Sequence, residues 1–139
     1  MNPMKTATLA AVLATATAAG IAPAAPAQAS GGHHRAPAGC ASDALCAYAG
    51  AGYTGAVSTF AFHHSASRAE PALARAKSLY NNVPRGVDEQ GRAGGWCWKI
   101  YNGPDFTGRS MVIRPNTGVA DVSAAFGEIK SDHTEWCSG

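Results

Sequence analysis

The sequence predicts an all-β protein: a sandwich of two Greek-key motifs, with about eight strands and two disulfides. Three observations carry this prediction. First, one stretch is written twice, as Tyr48-Ala-Gly-Ala-Gly-Tyr53-Thr-Gly55 and Tyr101-Asn-Gly-Pro-Asp-Phe106-Thr-Gly108. Ala76-Lys77-Ser78 recurs in the same register as Ile129-Lys130-Ser131, so the duplication runs through Tyr48–Ser78 and Tyr101–Ser131 without net insertion. A repeat of that size marks two similar supersecondary units. Second, short alternating apolar segments are separated by Gly, Pro, Asn and Asp, which reads as strands and tight turns. Third, all four cysteines fall outside the leader.

Residues 1–29 read as a cleaved signal peptide. Met1–Lys5 carries the positive end, Thr6–Ile21 is a weakly apolar run, and Ala27-Gln28-Ala29 is an A-x-A cleavage signature. The apolar run is shorter than the roughly 20 residues a membrane span needs. Secretion to the extracellular space is the expectation. Losing Lys5 leaves 10 basic residues (11 − 1) against 9 acidic ones. No basic run interleaves with aromatic residues, so neither nucleic acid nor a membrane is an expected partner. A monomer is expected.

Residues 30–39 form a polar lead-in without periodicity, carrying His33-His34, and read as flexible. Residues 40–139 then form a single domain, with repeat one at 40–82, a linker at 83–95 and repeat two at 96–139. The first strands are Ala44–Ala49 and Trp96–Asn102, in which Leu45 aligns with Trp98 and Ala47 with Ile100 on the inward face. Ala56–Phe62 and Arg109–Arg114 are the second strands, reached through Gly-rich and Asn-Gly-Pro-Asp turns. Glu70–Ala76 can form one or two helical turns with Pro71 near the start. The last strands are Ala76–Asn81 and Ile129–Trp136. The linker VPRGVDEQGRAGG is rich in breakers and reads as a mobile surface loop.

An even number of cysteines in a small secreted domain reads as two disulfides. Three connectivities are possible, and we favour Cys40–Cys46 with Cys97–Cys137. The first closes a short loop at the domain entrance; the second ties the start of repeat two to the C-terminus. In the chain-entropy picture the longer loop contributes roughly 4 kcal/mol and the shorter roughly 2 kcal/mol. Zinc is disfavoured, because no C-x-x-C pair exists and secretion favours oxidation.

The doubled pattern resembles the βγ-crystallin Greek-key motif: Tyr48, Tyr53, Gly55 and Ser78 in one copy, Tyr101, Phe106, Gly108 and Ser131 in the other. The resemblance implies that the two aromatics of each copy pack together. The glycine takes a conformation a Cβ would disfavour, and the serine hydroxyl caps the hairpin from a later strand. Cys40-Ala-Ser-Asp-Ala-Leu-Cys46-Ala-Tyr48 and Ala76-Lys-Ser-Leu-Tyr-Asn-Asn82 further resemble the secreted, disulfide-linked Streptomyces-type metalloproteinase inhibitor family. That resemblance implies a peptidase inhibitor, not an enzyme, acting on thermolysin-type proteases of the extracellular space. The alternative is a secreted non-enzymatic βγ-crystallin module, either killer-toxin-like and antimicrobial or a structural component of envelope or matrix.

Many βγ-crystallins bind calcium through two Asn/Asp residues and a Ser/Thr ahead of the serine. Those positions here hold Leu73, Ala74 and Lys77, and again Phe126, Gly127 and Lys130. Calcium takes oxygen ligands, so no metal and no cofactor are expected; a weak surface site would have to use Asp121, Glu128 or Asp132. His63, His64 and His133 read as solvent-exposed. Neither G-x-S-x-G nor H-E-x-x-H occurs, so no catalytic residue is assigned.

An inhibitor of this kind presents a rigid extended loop, whose preorganisation lowers the entropy lost on binding. Two places suit it: Pro84-Arg85-Gly86-Val87, and the linker's run into Trp96-Cys97-Trp98, anchored by Cys97. Thermolysin-type enzymes favour a bulky apolar residue just after the scissile bond; Arg85 would suit a trypsin-like one. Trp98, aligned with Leu45, competes as a core residue. In the family's characterised inhibitor the reactive bond sits in a small second disulfide loop. Cys97 has no near partner here, so that loop does not carry over.

Overall fold

The structure is a computed structural model that describes residues 35–139. The expected leader 1–29 and the His33-His34 pair lie outside the described residues.

Repeat one begins with β1 (Ala44–Gly50) and β2 (Thr54–Ala61), an antiparallel hairpin. A two-residue strand β3 (Ser65–Ala66), a helical turn α1 (Pro71–Ala74) and β4 (Ser78–Asn81) complete it. Repeat two follows the same order: β6 (Ala93–Tyr101), β7 (Ser110–Ile113), β8 (Thr117–Val119), α2 (Val122–Ala125) and β9 (Ser131–Ser138). Between the repeats lies one more strand, β5 (Gly86–Val87). The fold is all-β, with nine strands among the described residues.

The two repeats exchange their third strands. One sheet runs β2-β1-β4-β8; the other runs β3-β9-β6-β5, with β7 also paired to β6. So β3, from repeat one, pairs with β9 through Ser65–His133 and Ala66–Asp132. Reciprocally, β8 pairs with β4 through Leu79–Val119, Tyr80–Gly118 and Asn81–Thr117. Each half therefore finishes the other's sheet.

The core lies between the sheets. Period-two alternation turns Leu45 and Ala47 inward from β1, and Trp98 and Ile100 inward from β6. Leu79 and Ile113 add to it, and Leu73 and Val122 close it from the two helical turns. The opposite face of β1 is also covered. Cys46, Tyr48 and Tyr80 form a second apolar cluster on which Ala36 and Cys40 pack. Tyr48 donates its hydroxyl to the carbonyls of Pro37 (3.3 Å) and Ala38 (3.1 Å). The stretch 35–39 is therefore held to the sheet, contrary to the flexible lead-in expected, because the cystine and Tyr48 give it an apolar seat.

Both hairpin corners have one geometry. Ser78 Oγ accepts from the Tyr53 amide (2.9 Å) and donates to the Gly50 carbonyl (2.7 Å). Ser131 Oγ does the same with Phe106 (3.0 Å) and Gly103 (2.6 Å). The aromatics meet edge to face, Tyr48–Tyr53 at 5.7 Å and Tyr101–Phe106 at 5.9 Å. Gly55 and Gly108 have φ of 76° and 77°, in the left-handed region where a Cβ is strained.

Candidate functional site

The linker 83–95 is not the mobile loop its breaker content predicts. Gly86 and Val87 pair with Gly94 and Ala93, making a short hairpin whose second strand is the early start of β6. Its tip is organised by Asp88. One carboxylate oxygen accepts from the amides of Gln90 (3.0 Å) and Arg92 (2.8 Å), and the other from the Arg92 guanidinium (2.6 Å). The Asp88 amide donates to the Arg92 carbonyl at 3.0 Å, and Gly91 takes φ of 75°. Desolvation works against the Asp88 charge, but the Arg92 amide and guanidinium outweigh it and hold the carboxyl below the usual carboxylate range. An Asp three residues before a Gly is the turn chemistry that could have revealed this hairpin.

The candidate residues separate into layers. Pro84, Arg85, Gly86 and Val87 are exposed. Val87 has 67 % of its surface free, the largest fraction among the large apolar residues exposed in the described chain. Trp96 is half-buried, edge-on to Trp136 at 5.9 Å and tilted against Phe62 at 6.1 Å. The Trp136 indole lies so close over Gly94 that a Cβ there would meet its Nε1 at 2.9 Å. Val87, Trp96 and Trp136 line one open cleft together with Asp88 and Arg92. Cys97 and Trp98 are fully buried. They are removed from the set of contact residues: Trp98 is packed in the core between the sheets and Cys97 is tied into the cystine with Cys137.

The cystines are Cys40–Cys46 and Cys97–Cys137, with Cα separations of 5.8 and 5.9 Å. The second joins β6 to β9 directly below the hairpin, where Gly95 faces Cys137 across the sheet.

Sequence reasoning missed Asn81. Its side chain is fully buried. The amide nitrogen donates to the carbonyls of Trp96 (2.8 Å) and Ile113 (3.0 Å), and the amide oxygen accepts from the Val83 N–H (3.1 Å). One side chain therefore touches both ends of the linker. Nothing in the local sequence signals this, since its three partners lie on three different segments.

The histidines and acids make separate arrangements. His63 is exposed, but His64 is not: it packs on Phe60 at 4.9 Å with its Nε2 3.5 Å from Asp132 Oδ1. His133 packs on Phe106 and Tyr101. Asp132 is fully buried and accepts the Trp98 indole N–H at 2.8 Å, so it is no part of a surface calcium site. Burial raises its carboxyl above the usual range, against the Trp98 hydrogen bond and the nearby His64 and His133. Asp121 caps α2 through the Ala124 amide. Leu73 and Phe126, at positions where calcium ligands would stand, are core residues. Among the described residues no three His, Cys, Asp or Glu side chains gather as a metal site would require.

No curated protein matches the sequence. The fold has solved counterparts at low identity. IPSE/alpha-1 from Schistosoma mansoni eggs shares 16% identity at a TM-score of 0.51, over 70% of this chain and 87% of that one. A second structure of IPSE alpha-1, described as an IgE-binding crystallin, gives 13% identity and a TM-score of 0.53 over 73% and 99%. A structure from work on the evolution of the eye-lens βγ-crystallin domain fold gives 13% and 0.51 over 71% and 91%. These show the fold. The family follows from the sequence profile of peptidase inhibitor family I36, which matches residues 33–113. That span holds all of repeat one, the linker hairpin and the first two strands of repeat two. The chain belongs to peptidase inhibitor family I36 and is built on the βγ-crystallin fold.

Proposed function

We propose that the protein is a secreted, non-enzymatic inhibitor of an extracellular protease of the thermolysin type, and that the linker hairpin is its contact surface. The carrying observation is Val87: a large apolar side chain, 67 % exposed, on a two-residue strand fixed on one side by β6 and at its end by the Asp88 turn. An apolar residue on an ordered extended segment is what the specificity pocket of such an enzyme takes, and the order already present lowers the entropy lost on binding. The two cystines and the A-x-A signature at Ala27-Gln28-Ala29 support an extracellular setting. Trp96, half-buried, lines the same cleft as Val87 and adds apolar surface to it.

The test is residual activity of a thermolysin-like enzyme, and in parallel a subtilisin, with mature protein in molar excess. Inhibition of the first is expected; undiminished activity of both removes the proposal. Val87→Asp should weaken inhibition by about 2 kcal/mol, roughly 30-fold, as loss of an apolar anchor does.

A further inference from the structure

Both cystines leave the linker unbridged. Cys40–Cys46 lies wholly before it and Cys97–Cys137 wholly after it. A chain cut anywhere in 84–92 therefore has no covalent bond joining its two pieces. Hydrolysis there would add one water across a peptide bond, leaving a carboxylate on one piece and an ammonium on the other. In a disulfide-loop inhibitor the cystine would keep those ends together; here something else must.

We propose that Asn81 is a positioning residue that clasps the two ends of the linker hairpin, so that the protein cut in the linker remains one native particle with its new ends in place. The Val83 N–H, the last backbone donor before the exposed strip, is bound to the Asn81 amide oxygen. The Trp96 carbonyl, just beyond the hairpin, is bound to the Asn81 amide nitrogen, as is Ile113 of β7. Asn81 belongs to the N-terminal piece, whereas Trp96 and Ile113 belong to the C-terminal one. The clasp is thus a contact between pieces, out of water, where a hydrogen bond is costly to leave unmade.

The exchanged strands supply the rest of the hold. The N-terminal piece places β3 on β9, and the C-terminal piece places β8 on β4. Further main-chain bonds cross between pieces: Gly52 N–H to Ala120 (2.7 Å), Ala69 N–H to Lys130 (2.7 Å) and Val122 N–H to Lys77 (2.8 Å). Leu45 and Leu79 from one piece share a core with Trp98 and Ile100 from the other. Separating the pieces would expose that core. The exchange holds the bodies together; Asn81 fixes the ends. Its use in inhibition rests on the function proposed above, but the clasp itself does not.

The experiment inserts a specific protease recognition sequence between Glu89 and Gln90 in the full mature chain and cuts it. The cut protein should run as two pieces on a non-reducing denaturing gel, yet elute at the uncut volume under native conditions. The Val83 amide should keep its hydrogen-exchange protection within about tenfold of the uncut protein. In Asn81→Ala, protection of that amide should fall at least a further tenfold on cutting, while the uncut variant stays folded. Pieces that separate in native buffer overturn the proposal, as does equal Val83 protection in the cut wild type and the cut variant. Should Asn81→Ala not fold, the cut wild type decides alone: a Val83 amide exchanging as an unstructured one overturns the clasp. Cut protein that holds together, beside unmodified mature protein that inhibits no protease, leaves the clasp standing and removes the function.

Discussion

Repeat one and repeat two agree at their corners and differ in their cores. Ser78 and Ser131 make the same pair of hydrogen bonds to equivalent backbone atoms, within 0.1 Å of each other (2.9 and 2.7 Å against 3.0 and 2.6 Å). Inside the sandwich the register is kept and the chemistry is not: Leu45 of repeat one faces Trp98 of repeat two in the alignment, and Leu79 faces Asp132. The difference teaches where a fold is constrained. A corner is set by hydrogen-bond directions and by a left-handed glycine, which admit few residues. A core position is set by volume and by satisfied polar groups, so a paired exchange is tolerated: the indole brought by Trp98 supplies the donor that buried Asp132 needs.

The largest test of this contrast is deletion in the core. Trp98→Ala should cost about 4 kcal/mol and Leu45→Ala about 3 kcal/mol, since the first leaves a bigger cavity and strips Asp132 of a partner. Denaturant midpoints measure both; equal costs would mean that neither the larger cavity nor the lost indole bond to Asp132 adds anything. Next come the corners. Ser78→Ala and Ser131→Ala should each cost about 2 kcal/mol, the loss of two part-buried hydrogen bonds, and should match within about 1 kcal/mol. A cost confined to one copy would break the equivalence of the two corners.

The smallest effect is a pH dependence present in repeat two alone. Burial raises the Asp132 carboxyl and Glu70 adds to the rise, while the Trp98 hydrogen bond and the nearby His64 and His133 oppose it. A carboxyl that holds its proton more tightly in the fold than in the unfolded chain lends most stability below the ordinary carboxylate range. That contribution declines as pH rises through it toward neutrality. Asp132→Asn keeps an acceptor for Trp98 and removes the titration. Wild type should therefore lose stability relative to Asp132→Asn between about pH 4 and pH 7, read from denaturation midpoints. A gap that stays constant, or narrows, over that window contradicts the assignment.

Much of this was legible in the chain. The corner residues were readable because the duplication repeats residue types at fixed spacing, and the geometry of a tight corner depends on near neighbours. Strand edges moved by a few residues: Ala76–Asn81 became Ser78–Asn81, and Ile129–Trp136 became Ser131–Ser138. The candidate site was legible only in outline. Pro84, Arg85, Gly86 and Val87 do form an exposed strip, but Gly and Pro content suggested disorder where Asp88 in fact closes a hairpin. Trp98, aligned with Leu45, already competes in sequence as a core residue and is one, while Trp96, two residues earlier on the same face, is only half-buried because it sits at the edge of the core. His64 and Asp132 looked like surface residues, and they meet only because β3 crosses to the other sheet.

By itself the sequence determined the two Greek keys, their corners and the residues that cap them, because these rest on local backbone geometry and a period of two. Its likeness to the inhibitor family marked the class of activity. The favoured cysteine pairing, which leaves the linker unspanned, is also the one in the structure. Only the tertiary structure decided that the keys exchange strands and that Asn81 holds both ends of the linker. These are contacts between residues distant in the chain. Their partners are chosen by which sheet has an open edge and which buried polar atom lacks a mate, and neither quantity exists until the halves have packed.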